Sequence, residues 1–179
     1  MLQPKRSKYR KAFRGKNRGT ATRGNTIAFG EFGLQAIEHG QFSARQIEAA
    51  RKVLAHTTKR LGSIYIRIFP DHPVTVKPLG VKMGSGKGDI KEYVSKIQPE
   101  KMLFELGGVP EKLAREAFRK AGHKIPMRTR FIVKKLTAEE AIAAQAAQLE
   151  AAEELKALEA KEAAEQVEEV KENQEGEQA

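Results

Sequence analysis

The sequence predicts an α+β fold: a two-layer sandwich of a mixed or mostly antiparallel sheet with two helices on one face. Two observations predict it. Apolar residues recur at helical spacing over 43–61 and 110–122, and they recur at period two over 63–69 and 127–133, with further β-type runs at 93–97 and 102–106. Segregated strands and helices around one core give the sandwich. Its face away from the helices is expected to carry Arg and Lys.

Residues 1–25 read as a basic arm outside that core. Lys5, Arg6, Lys8, Arg10, Lys11, Arg14, Lys16, Arg18 and Arg23 precede the first acidic residue, Glu31. Gly15, Gly19 and Gly24 let the backbone bend along another surface. Tyr9 and Phe13 interleave the cations at helical spacing, and an aromatic ring can stack on an unpaired base. A merely solvating tail has no use for them, so contact with RNA is the stronger reading.

Residues 26–136 read as the globular domain. Ile27, Phe29, Phe32, Leu34 and Ile37 with Gly30 and Gly33 suggest one or two glycine-interrupted strands. Ser43 then starts a helix with Gln46 as its capping-box partner. Ala44, Ile47, Ala50, Leu54 and Leu61 form its apolar stripe, Lys59 and Arg60 suit its C-terminal dipole, and Gly62 is the expected stop. Arg45, Arg51 and Lys52 fall off that stripe and can face outward. In 63–69, Ile64, Ile66 and Ile68 share one face, and Tyr65, Arg67 and Phe69 the other. Prolines at 70, 73 and 78 leave Val74 and Val76 at best a short edge strand. The runs 93–97 and 102–106 are expected to pair as a hairpin about Pro99. Pro110 opens a second helix as its first residue; Leu113, Ala114, Ala117, Phe118 and Ala121 line one side, and Gly122 closes it.

Residues 137–179 read as an Ala/Glu-rich extension. Thr137 and Glu140 form a capping box for an exposed helix, and ENQEGEQA is expected to be disordered. Charge separates this extension from the rest. Residues 1–136 carry a net +20 and residues 137–179 a net −10, within a total of +10. A domain of +20 repels itself unless it meets an anion, and RNA or DNA is the abundant polyanion.

Several classes are excluded. With no cysteine there is no disulfide, thiolate metal site or cysteine nucleophile, which fits a reducing compartment. No stretch approaches the roughly 18 apolar residues of a membrane span, and no signal peptide is visible, so a cytoplasmic protein is expected. His39, His56, His72 and His123 lack metal-ligand spacing, no nucleophile elbow occurs, and no cofactor or catalytic residue is expected.

Within residues 77–91 lies GVKMGSGKG. It departs from the Walker pattern, because Val81 stands where the first glycine belongs and Gly88 where Ser or Thr should hold magnesium. The better description is a basic finger: Lys77, Lys82 and Lys87 supply charge, and Gly84, Gly86 and Gly88 permit close approach.

The segments MLQPKRSKYRK, RGKNRG, FGEFGLQA, ARQIEAAR, IRIFPDHPVT, KPLGVKMGSGKG and GVPEKLAREAFRKA, in this order, resemble the bacterial L-sixteen/L-ten-e family of large-subunit ribosomal proteins, from Met1 to about Val133. The resemblance implies a structural constituent without chemistry of its own, placed in the ribosome. It implies binding to 23S rRNA, contact with A-site tRNA, with P-site tRNA as a second candidate, and neighbouring ribosomal proteins as further partners. Lys5 to Arg23 resemble the family's rRNA-bound arm. Lys82, Met83, Gly84, Gly86, Lys87 and Gly88 resemble the loop that reaches towards tRNA and the peptidyl-transferase region. Lys82 stands where relatives often carry an arginine, Tyr65 and Val94 stand where they often carry tryptophan, and the acidic extension exceeds the usual family length.

Overall fold

The computed structural model describes residues 2–134. The acidic extension 137–179, with the helix and disorder expected there, lies outside the described residues. Those residues form β1 (Phe32–Ala36), β2 (Gly40–Ser43), α1 (Ala44–Thr57), β3 (Ser63–Ile66), β4 (His72–Val76), β5 (Asp89–Ile97), β6 (Met102–Gly107), α2 (Glu111–Gly122) and β7 (Thr129–Val133).

The fold is α+β, with two antiparallel sheets in place of the single expected sheet. One has four strands in the order β3-β6-β1-β7, the other three in the order β2-β5-β4. The runs expected to form a hairpin fall in different sheets: β5 pairs with β2 and β4, while β6 pairs with β1 and β3. Between them Glu100 takes a left-handed φ of 70° and its N–H bonds to Ala36 O at 2.7 Å, a turn that diverts the chain into the second sheet. The two sheets share a core, where Phe42 of β2 meets Phe104 of β6 edge to face at 6.3 Å. Val74 and Val76 do lie on an edge strand, β4, but β5 begins at Asp89, so β4 and β5 are the hairpin and 77–88 is its loop.

Ser43 starts α1 as expected. Its hydroxyl accepts from Gln46 N, and the Gln46 side chain accepts from Ser43 N at 2.9 Å. We expect Ser43→Ala to cost about 1 kcal/mol of stability, read as a shift of the urea midpoint. Ile47, Ala50 and Leu54 are fully buried. The helix ends before Gly62, because Lys59 and Arg60 turn to left-handed φ of 51° and 66° directly after the C-cap Thr58, and the Arg60 N–H closes the last turn on Ala55 O at 3.0 Å. Leu61 therefore lies beyond the helix and is exposed.

Pro110 is the N-cap of α2 and not its first residue. Ala114, Ala117, Phe118 and Ala121 are buried, and Phe118 packs on Phe131 of β7 at 5.8 Å between ring centroids. The two helices pack against each other; α2 also meets β1 and β7, and α1 meets β2, β3 and β5.

The other face of the four-stranded sheet is not the expected surface of Arg and Lys. Residues 24–31 run back over it: Met102 N bonds to Gly24 O and Glu31 N to Leu106 O, both at 2.9 Å. Gly30 sits so close to β6 that a Cβ would stand 2.5 Å from Leu106 O. Strand β6 is thereby covered on both sides, and five of its six residues are buried.

Candidate nucleic-acid interface

The arm is not a free tail. It lies along β5 and the turn that follows, held largely by side chains of the domain that donate to its backbone carbonyls. Asn17 Nδ2 donates to Ile97 O at 2.6 Å, Gln98 Nε2 to Arg18 O at 2.7 Å and Lys101 Nζ to Arg23 O at 3.1 Å, while Lys96 Nζ donates to Arg14 O. Ala21 is buried and donates its N–H to Pro99 O at 2.9 Å. Apart from Asn17, these bonds use the arm's main chain and leave its cationic side chains outward. Lys5, Arg6, Lys8, Arg10, Arg14, Lys16, Arg18 and Arg23 are exposed, and so are Tyr9 and Phe13, the latter 92%. No helix forms over Tyr9 and Phe13, so their spacing has no helical meaning.

Lys11 differs from its neighbours. It is half-buried, and its Nζ donates to Lys87 O at 2.8 Å, while Lys87 Nζ donates back to Ala12 O and lies 5.4 Å from the Phe13 ring. Asp89 adds ion pairs to Lys11 at 3.6 Å and Arg10 at 3.9 Å. The base of the glycine-rich loop and residues 10–13 of the arm are clasped together by these contacts, a pairing invisible in a linear reading.

The loop itself is exposed from Pro78 to Lys87. Lys77 Nζ reaches across it to Gly84 O, and Gly84 and Gly86 take φ of 94° and 86°, values costly for a residue with a Cβ. Lys82 projects from it, as does Met83 at 96% exposure. Leu79 and Val81, which contribute nothing to a charge pattern, are exposed as well. On α1, Arg45 and Lys52 are exposed, but Arg51 is engaged by Glu48 through two bonds of 2.7 and 2.9 Å. That pair holds the Glu48 carboxyl below its usual range.

Beside the arm, His72 lines the groove between it and β4. Burial first, then the Lys96 and Lys87 ammonium groups, lower its pKa against the opposing pull of Asp71, which favours the neutral ring. Among the described residues no cluster of His, Asp or Glu is placed to hold a metal ion, and no helix is long and apolar enough to cross a membrane.

The buried carboxylate of Glu105 lies beneath residues 28–30. It accepts from the backbone N–H of Phe29 at 2.7 Å, Gly30 at 3.0 Å and Ala28 at 3.2 Å, and from the Arg67 guanidinium. Burial alone would raise its pKa; the three N–H donors and Arg67 outweigh burial and hold it below the usual carboxylate range. With all its partners in place it builds structure and has no proton to exchange near neutrality.

A model of the ribosomal protein L16p/L10e family matches residues 4–132, most of the chain and nearly all of the described part. The chain belongs to the L16p/L10e family. As a member it is a structural constituent of the large ribosomal subunit that acts in translation and binds rRNA. The L16p/L10e family is one of structural components. The match ends at residue 132, short of the acidic extension 137–179.

Proposed function

We propose that the chain works as three segments. The arm 1–25, with the outer face of α1, holds it to 23S rRNA; the domain 26–136 presents the loop 77–91 to A-site tRNA, with P-site tRNA as a second candidate; and the extension 137–179 adds a separate acidic appendage. The observation that carries this reading is the arm's attachment. Lys96, Gln98 and Lys101 of the domain donate to arm carbonyls and Asn17 of the arm donates back to Ile97 O, so the arm's backbone is held while its exposed cations face outward, the arrangement that neutralises phosphates and releases counterions. RNA is favoured over a protein partner by that uncompensated charge.

The loop suits a contact that must accept every tRNA. It offers charge at Lys82 and exposed apolar side chains at Leu79 and Met83, with no rigid set of hydrogen-bonding groups to read bases. Lys87 is the wrong residue for testing it, because its removal also loosens the clasp on residues 10–13 of the arm. We expect Lys82→Ala to weaken A-site tRNA binding to reconstituted ribosomes roughly three- to tenfold, about the worth of one phosphate contact. Subunit assembly should be unchanged. Equal tRNA affinity in filter-binding titrations would remove the loop from this role.

A further inference from the structure

We infer that Phe29, Tyr65 and Phe69, with Arg67 among them, form a stacking platform for unpaired bases of RNA, separate from the phosphate-facing arm. This inference rests on the rRNA-binding reading above and adds to it a second kind of contact.

The platform follows from the sequence alternation. Ile68 is buried and Ile64 and Ile66 pack against the core, which turns Tyr65, Arg67 and Phe69 to the opposite side. Phe29 joins them from the covering segment. Its ring stacks on Tyr65 at 5.5 Å and 26°, and the Arg67 guanidinium lies 5.0 Å from its centroid. Even so, Phe29 is 65% exposed and Phe69 47%, so ring surface is left for further stacking.

The segment that carries Phe29 is held in place. The Phe29 N–H is fixed by Glu105, and its neighbour Gly30 is wedged against β6. Glu105 also neutralises Arg67, which makes the guanidinium a flat backing surface instead of a phosphate clamp. A buried carboxylate with four donors is a costly way to hold an exposed phenylalanine, and the isolated domain gains nothing from that exposure.

The surroundings favour RNA over a protein. Arg67 and Phe69 continue into a groove of about 620 Å³ whose opposite wall is the arm at Tyr9. Lys8, Lys96 and Lys101 also line it, and Asp71 is the one carboxylate among its lining residues. Lys96 and Lys101 are anchored by arm carbonyls, so their charge is positioned without being cancelled. Rings that stack on bases beside lysines that meet phosphates are the recurrent composition of single-strand sites.

The chain has no tryptophan, so Phe29→Trp in the full chain is a unique fluorescent reporter. Titration with purified 23S rRNA should quench its emission as the complex forms. Phe29→Leu and Tyr65→Leu, which keep apolar bulk, should each weaken binding roughly tenfold. They should leave the slope of log K against log salt unchanged, whereas Lys16→Ala should flatten it. Wild-type affinity in both leucine variants, or steady emission from position 29 while binding proceeds, would overturn the platform and leave the rRNA reading standing. Emission that responds only after incorporation with neighbouring proteins would overturn it in favour of a protein contact. Failure of the wild-type chain to bind 23S rRNA would overturn both.

Discussion

Replacing Glu105 by alanine is expected to destabilise the domain by about 3–5 kcal/mol, the usual cost of removing one partner from a buried charged network. The substitution orphans the N–H groups of Ala28, Phe29 and Gly30 and leaves Arg67, only 20% exposed, without its carboxylate. Glutamine recovers little, because an amide offers one acceptor oxygen where four donors converge. Arg67→Met should cost less, since the three backbone donors still hold Glu105. Acid should act on the same site. The folded-state pKa of Glu105 is depressed, so its contribution is fully present above the unfolded value of about 4.3 and is lost as pH falls through the folded value. Urea denaturation at neutral pH and near pH 3 measures both effects. An alanine variant within about 1 kcal/mol of wild type would show that the network is not what holds residues 28–30.

Neutralising the exposed arm should give the largest change in binding. With Arg6, Lys8, Arg10, Lys16, Arg18 and Arg23 replaced by glutamine, affinity for 23S rRNA should fall by about two orders of magnitude or more at physiological salt. The slope of log K against log salt should drop by about 0.7–0.9 for each phosphate that is no longer neutralised. The fold should survive, because the arm is attached through its carbonyls and through Asn17, Lys96, Gln98 and Lys101, none of which is altered. An unchanged slope, measured by filter binding from low to high salt, would mean that those cations do not meet phosphates.

What the sequence makes legible is what depends on neighbours along the chain. Ser43 and Gln46 mark a helix start that the structure reproduces, and the isoleucines at 64, 66 and 68 mark the inward side of their segment. Sheet partnership is not legible, because β5 and β6 are adjacent in sequence and their separation depends on which strands arrive from elsewhere. Strand β2 is silent because four residues with one buried side chain, Phe42, show no period. For the site, charge density marks the arm and the loop, but not the clasp between Lys11 and Lys87. Phe29 reads as a strand residue because nothing local signals that a carboxylate 76 positions away fixes its backbone. Glu105 itself is easily passed over among apolar neighbours. An acidic residue inside a run such as MLFELG, in so basic a domain, is the available signal.

The attachment of the arm to β5 also bears on how RNA is met. Ordering a free chain costs about 1–2 kcal/mol per residue, so some twenty unstructured residues would set a heavy entropic penalty on association. Here that penalty falls on folding, where β5 and the Pro99 turn supply the bonds, before any RNA arrives. The surface offered is already shaped, and less of the counterion-release free energy is consumed in shaping it. Encounter should then resemble the docking of two formed bodies, with a rate set by electrostatic steering rather than by the search of a disordered segment.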